Sequence, residues 1–225
     1  MTHDRRMFLT GSIAALGALV LPGAAGAKGA SEADISAPED LMREHGVLDR
    51  ILLIYQEGLR RLAAQQEVSP DVFQQAAALV RSFVEDYHEH LEETFIFPQF
   101  EPTHELVDLV TVLRQQHQAG RQVTDIVMRT ATAEQFGRPD ARQALTGACT
   151  AFIRMYRPHA AREDTVLFPA LYTVAGAKRV KELGEQFENE EHRRFGEHGF
   201  ENAVKQVAAL ERQLGIYDHA AFTPR

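Results

Sequence analysis

Cysteine is nearly missing from these 225 residues: Cys149 stands alone, and tryptophan is absent altogether. A single thiol cannot close an intrachain disulfide or build a thiolate-rich zinc or iron–sulfur site. Any metal held by this chain must therefore rely on histidine and carboxylate. Basic blocks are missing too: the formal net charge is −8 and no Lys/Arg-rich run stands out. The electrostatic footprint of a nucleic-acid binder is lacking, and nucleic acid is set aside as a partner. No convincing strand-like alternation of apolar and polar residues is found either. What is present is an apolar fraction of 44% with 25% charged residues, enough for one well-cored domain with appendages.

The chain begins "MTHDRRMFLTGSIAALGALVLPGAAGAKG". Its uncharged run from Phe8 to Leu21 is too short for a comfortable membrane span, and the small residues ending in Ala25-Gly26-Ala27 suit signal peptidase. Arg5 and Arg6, followed by Met7, Phe8 and Leu9, resemble a twin-arginine export signal. Residues 1–27 are accordingly expected to be such a signal, with an ordinary secretory signal or an uncleaved anchor as the alternatives. The expected location is periplasmic or extracytoplasmic, with no stable membrane span in the mature protein. Residues 28–38, small and polar, read as a linker.

From Glu39 the sequence turns helical. Leu48, Ile51, Leu52, Tyr55 and Leu59 recur at three- and four-residue spacing, among residues of high helix propensity. Proline- and glycine-containing breakers at 69–71, at Pro98 and Pro102, at 137–140 and at Pro169 divide the chain into four expected helices, about 39–67, 70–97, 102–136 and 139–168. Pro158 inside the fourth predicts a kink or a break. Residues 171–225 form an expected C-terminal helical extension, interrupted near Gly196 and Gly199.

Within residues 39–170 the chain repeats itself. "YHEHLEETFIFP" (Tyr87 to Pro98) and "YRPHAAREDTVLFP" (Tyr156 to Pro169) align so that His88 falls on His159, Glu92 on Glu163, Glu93 on Asp164 and Phe97 on Phe168. His45 in "LMREHGVLDR" and His117 in "LRQQHQAGRQ" add a second matched pair. Residues four apart share a helix face, so His88/Glu92 and His159/Glu163 each present an imidazole and a carboxylate in one direction. Counting along antiparallel helices at about 1.5 Å per residue brings the four histidines to nearly one depth, provided the third helix continues through "TATAEQF" to Gly137. Four imidazoles and two carboxylates meeting in a bundle core suit a dinuclear, carboxylate-bridged site, because a metal-free cluster would leave both glutamates desolvated and unpaired. Imidazole with carboxylate favours iron, with zinc or manganese as alternatives.

The pattern His45, His88-x-x-x-Glu92, His117, His159-x-x-x-Glu163, with Phe-Pro closing both halves, resembles the hemerythrin-like HHE cation-binding family over about residues 39–170. The resemblance implies an all-α, up-down-up-down four-helix bundle around two non-haem irons, with Glu92 and Glu163 bridging and the histidines terminal. It also implies a small ligand such as O2, NO or peroxide, and an electron donor that the sequence does not identify. Oxygen-carrying hemerythrins have a further histidine one turn after the third-helix histidine, where this chain has Arg121. That departure argues against a pure carrier. A redox enzyme, a reversible binding or sensing module without turnover, and an iron-handling protein all stay open.

Other polar residues carry weaker expectations. His90 should face away from His88. Glu93 and Asp164 either orient ligands from behind or solvate a face. Tyr55 and Tyr87 are the tyrosines expected nearest the metals, with ordinary packing the commoner role. His192 and His198 lie on an extension expected to dock through its phenylalanines, and Cys149 reads as a small buried hydrophobe.

Overall fold

The computed structural model describes residues 35–224. The expected export signal lies outside the described residues, as does most of the linker. Among the described residues every regular element is helical. Helix α1 (Ala37–Ala63) starts where the Ser36 side chain accepts the Glu39 N–H, with Pro38 in its first turn and Arg60 and Arg61 in its last. This is the ordinary chemistry of a capped helix whose charges oppose its dipole. Helix α2, residues 70–100, starts in the same way with Ser69 and Pro70. Helix α3 (Val107–Thr130) follows two left-handed residues, His104 and Leu106. Helix α4, residues 139–175, opens at Pro139. Short links between neighbours reverse the chain each time, giving an up-down-up-down bundle in which α1 and α3 each pack on α2 and α4.

Several boundaries differ from those read in the sequence, for identifiable reasons. Pro98 and Pro169 do not stop their helices: α2 runs on to Phe100, and α4 to residue 175. Each proline follows a wide π turn, Glu92–Ile96 in α2 and Glu163–Leu167 in α4. In these turns the Phe97 N–H donates to the Glu92 carbonyl and the Phe168 N–H to the Glu163 carbonyl. One extra residue in the turn makes room for a ring that would otherwise strike the carbonyl four residues back. Pro158 lies within a continuous helix, so no break occurs there. The third helix ends at Thr130 rather than Phe136; Thr132 then caps a single turn, Ala133–Phe136. That turn places Phe136 against Phe73 at the end of the bundle. α1 also ends at Ala63, ahead of the expected residue 67.

Below the polar layer, Tyr55 packs on Phe73 and edge-on to Phe152, all three buried. Beyond α4 the chain breaks at Gly176, whose φ of 79° suits a residue without a Cβ. Helix α5, residues 177–195, and helix α6 (Gly199–Gln213) then return along the outside of α1 and α2. They dock through phenylalanines, as the spacing predicts. Phe195 meets Phe83 and Tyr87, and Phe187 meets Phe95. A two-pronged Arg50–Glu211 pair, at 2.9 and 2.6 Å, fastens α6 to α1. Arg61 Nη2 donates to the Leu214 carbonyl at 2.6 Å. Among the described residues, no helix is long and apolar enough to cross a membrane.

Candidate metal centre

The six residues singled out by the repeat meet in the bundle core: His45 from α1, His88 and Glu92 from α2, His117 from α3, and His159 and Glu163 from α4. Both glutamates are 0% exposed and the histidines between 0% and 4%. The histidines pair by their Nε2 atoms. His45 and His88 stand 3.1 Å apart, and His117 and His159 stand 3.2 Å apart. Glu92 reaches both pairs, with Oε1 3.6 Å from His88 Nε2 and Oε2 3.4 Å from His117 Nε2. Glu163 Oε2 does the same, 3.3 Å from His45 Nε2 and 3.1 Å from His159 Nε2. The histidines still meet within each pair although α3 ends early, at Thr130.

Each imidazole is held from behind by its Nδ1. Asp164 Oδ1 takes His45 at 2.7 Å, Glu44 Oε2 takes His88 at 2.7 Å, Glu93 Oε1 takes His117 at 2.9 Å and Gln116 Oε1 takes His159 at 2.8 Å. In a neutral imidazole, an Nδ1–H committed to an acceptor leaves Nε2 as a lone pair aimed inward. Glu93 and Asp164, open between two roles in the sequence, thus orient imidazoles of the opposite half. Glu44 and Gln116 were missed. Their signal was available, since each immediately precedes the histidine of α1 or α3 at matched repeat positions. Phe97 and Phe168 stack on His117 and His45, both at 5.6 Å between ring centroids, which explains the aromatic before each proline.

Among the described ring contacts, it is Tyr156, not Tyr55 or Tyr87, that meets one of the six residues. Its ring meets His159 edge-on at 5.3 Å, and its hydroxyl donates to the buried Glu89 Oε1 at 2.5 Å. Gly120 makes room for it: a Cβ there would lie 2.0 Å from the Tyr156 oxygen. Arg121 forms an ion pair with Glu89 Oε2, at 2.8 Å, and donates a hydrogen bond to Glu93 Oε1, at 2.9 Å. Tyr55 packs among aromatics, while Tyr87 lies beside Phe195 and Glu44. His90 is partly exposed and touches Thr94; His192 and His198 are exposed on the extension. Cys149 is fully buried, and burial pushes its thiol up to about 12.

Burial dominates the protonation of this core. It drives Glu92 well above the usual carboxylate range, with Glu163 adding to the effect. Burial also opposes ionisation of Glu163, but His159 and His45 outweigh it and hold that carboxyl well below its usual range. For His45, burial disfavours the cation, yet Asp164 and Glu163 prevail and raise it to about 9. Burial pushes His88 well below the usual value, His45 adding to it, and takes His117 down to about 4. Burial and then Glu191 raise Glu44 to about 8.

These donors fit a pair of cations. None of the four carboxylate oxygens of Glu92 and Glu163 meets hydrogen-bond geometry with any partner, although all are sealed from solvent. The paired Nε2 atoms, 3.1 and 3.2 Å apart, need a proton or a cation between them, because two bare lone pairs at that distance would repel. Two donors about 2.1 Å from a shared ion are about 3.0 Å apart at a right angle and about 3.4 Å apart at the tetrahedral angle. The contacts around each histidine pair, 3.1 to 3.6 Å, fall near those values. The donors gather in the corresponding groups, Glu92, His117, His159 and Glu163 on one side and His45, His88 and Glu92 on the other.

Comparison with known proteins agrees with this geometry. Residues 36–171 match the hemerythrin HHE cation binding domain, and an overlapping match covers residues 110–214. Uncharacterized proteins of Mycobacterium tuberculosis and Mycobacterium bovis are each 51% identical to the chain over 193 residues, covering 86% of it and 76% of the relative. No solved structure matches the chain. With its helix order, its inward-facing histidines and carboxylates, and a family match over residues 36–171, the chain belongs to the hemerythrin HHE cation-binding domain family.

Proposed function

We propose that His45, His88, Glu92, His117, His159 and Glu163 ligate two non-haem iron ions, and that the centre binds or reacts with O2, nitric oxide or peroxide. The carrying observation is the pair of solvent-sealed carboxylates, Glu92 and Glu163, each reaching an Nε2 atom of both histidine pairs at 3.1 to 3.6 Å. Glu92 and Glu163 would bridge, since each faces both histidine pairs, and the histidines would be terminal. The mixed imidazole and carboxylate set suits iron, with zinc or manganese as alternatives.

When bound, the ions supply Lewis acidity and one-electron redox chemistry. The chain's own residues set the conditions for it. Asp164, Glu44, Glu93 and Gln116 fix the imidazole tautomers, and Phe97 and Phe168 wall the site against water. Arg121 stands where the oxygen-carrying members have a further histidine, and its guanidinium is engaged by Glu89 and Glu93. Each ion would then have two imidazoles and shared carboxylates, which leaves room for a small ligand. That favours ligand chemistry over a pure carrier.

The test is to mix anaerobically iron-loaded protein with nitric oxide, peroxide and O2, following absorbance and ligand consumption together. Repeated consumption supports a redox enzyme, and a reversible spectral change without consumption supports a binding or sensing module. Ready loss of iron to a weak chelator supports iron handling. A spectrum unmoved by all three ligands contradicts the proposal. We also propose that residues 1–27 direct twin-arginine-type export to the periplasm or another extracytoplasmic space. Changing both Arg5 and Arg6 to Lys should trap the protein in the cytoplasm; unchanged export would contradict the route.

A further inference from the structure

The two halves of the centre follow one plan but back their imidazoles with different groups. Behind His45 and His88, both Nδ1 atoms face carboxylates, Asp164 and Glu44, each at 2.7 Å. Among the described residues no arginine or lysine forms a direct ion pair with either of them, and Arg43 acts on Glu44 only from a distance. Behind His117 the partner is also a carboxylate, Glu93, but the oxygen it uses is shared with Arg121 Nη2 at 2.9 Å. Behind His159 the partner is the neutral amide of Gln116, at 2.8 Å.

Glu44 and Gln116 occupy matched positions, each just before the histidine of α1 or α3. The difference between halves is therefore one side chain of nearly constant shape that carries an oxygen in one half and an amide nitrogen in the other. Glu89 brings a further carboxyl near His117, but Arg121 forms an ion pair with it and Tyr156 donates a hydrogen bond to it. With Arg121 counted against Glu89, Glu93 stands alone behind the second pair, against Asp164 and Glu44 behind the first. Asp164 and Glu93 are comparably open to solvent, with 35% and 26% of their side chains exposed. Glu44 is 2% exposed, and burial with Glu191 raises it to about 8 in the metal-free chain, so its full charge is expressed once a cation at His88 draws off its proton.

A carboxylate that takes an imidazole Nδ1–H makes the opposite nitrogen a stronger donor, because the pair can share one proton and carry a net negative charge. An amide orients the ring without adding charge. We propose that the two cation positions are inequivalent by construction. The position at His45 and His88 fills first and holds its ion more tightly, and the choice of Glu44 against Gln116 sets the difference. This rests on the reading of the six residues as ligands of two cations. Changes in such outer partners alter metal affinity by about 10–100-fold, which is the expected gap between the two steps.

The test is an anaerobic titration of metal-free full-length chain with cobalt(II), whose visible spectrum reports each occupied position. Two resolved steps are expected, about 10–100-fold apart. Gln116→Glu should tighten the weaker step alone and close the gap, while Glu44→Gln should weaken the tighter step alone. The double swap, Glu44→Gln with Gln116→Glu, should restore two steps with the tighter one now lost on His159→Gln rather than on His88→Gln. A structural role for these side chains would lower both steps together and would not give this exchange. Two equal or cooperative steps in the unaltered chain, or a gap unmoved by Gln116→Glu, overturn the proposal. No binding of cobalt(II) or iron(II) at all would instead overturn the ligand assignment beneath it.

Discussion

Replacing Glu92 with glutamine should move stability in opposite directions according to whether metal is present. Glu92 is 0% exposed, neither of its oxygens meets hydrogen-bond geometry with a partner, and it faces Glu163, which is equally buried. In the metal-free protein the two carboxyls compete for one charge, and Glu92 is the one held in its neutral form by burial and by Glu163. Glutamine keeps the shape, removes the competition and offers an N–H to Glu163. A carboxyl with an unfolded value of 4.5 must take up a proton to sit neutral in this core, and glutamine removes that cost, about 1.36 kcal/mol for each pH unit above 4.5 at which Glu92 stays protonated. In a domain of this size that corresponds to roughly 2–4 °C of midpoint per kcal/mol. With metal the order reverses. An ion at about 1,000 times its Kd stabilises the fold by about 4 kcal/mol, and the variant loses its bridging carboxylate. Thermal unfolding followed by far-ultraviolet circular dichroism, with chelator and with iron(II), reads both signs. A variant less stable than the parent in chelator would refute the reasoning, because Glu92 would then be serving the fold rather than waiting for a cation.

Metal binding should release protons and weaken as pH falls. His45 is raised to about 9 in the metal-free fold by Asp164 and Glu163 against burial, so below that pH a proton must leave before Nε2 can bind. Titration calorimetry in buffers of different ionisation enthalpy checks this; a proton count of zero at pH 7 would contradict it. The same shift has a second consequence with a definite sign. His45 contributes stability to the metal-free fold in full below its unfolded value of 6.5, and that contribution is lost as pH rises towards 9, which urea unfolding in chelator across that window should show. Gly120→Ala should displace Tyr156 from Glu89, since the new Cβ would meet the Tyr156 oxygen at 2.0 Å. Overpacking of this kind is worth about 1–3 kcal/mol, and an unchanged urea midpoint would show that Tyr156 moves freely. Phe152→Ala, which removes a fully buried ring beneath the polar layer, should destabilise by about 3–5 kcal/mol while leaving the metal-to-protein ratio intact.

The six inward-facing residues were legible because two physical constraints leave marks in a sequence. Side chains four apart share a helix face, and a duplicated half repeats its chemistry at a near-constant offset. Proline was harder to read. Pro98 and Pro169 look like stops because a regular α-helix has no room for the ring, yet a π turn supplies that room, and no residue type announces such a turn. The end of α3 was misplaced because "TATAEQF" holds no proline or glycine to mark a stop, while Thr132 uses its hydroxyl to start a new turn instead. Glu44 and Gln116 escaped because each adjoins a histidine and so lies about 100° around its own helix. They reach not that histidine but one on the neighbouring helix. Tyr156 was passed over for Tyr55 and Tyr87 because its route to the centre depends on the missing side chain of Gly120, a contact between helices.

The most direct measurement is the metal content of the folded chain. Protein spanning residues 28–225, reconstituted anaerobically with iron(II) and freed of excess, should carry about two irons per chain by elemental mass spectrometry, and the ratio should fall in the Glu92→Gln and Glu163→Gln variants. A folded, helical protein that retains no iron, zinc or manganese under those conditions would contradict the assignment of the buried histidines and glutamates as a two-cation site.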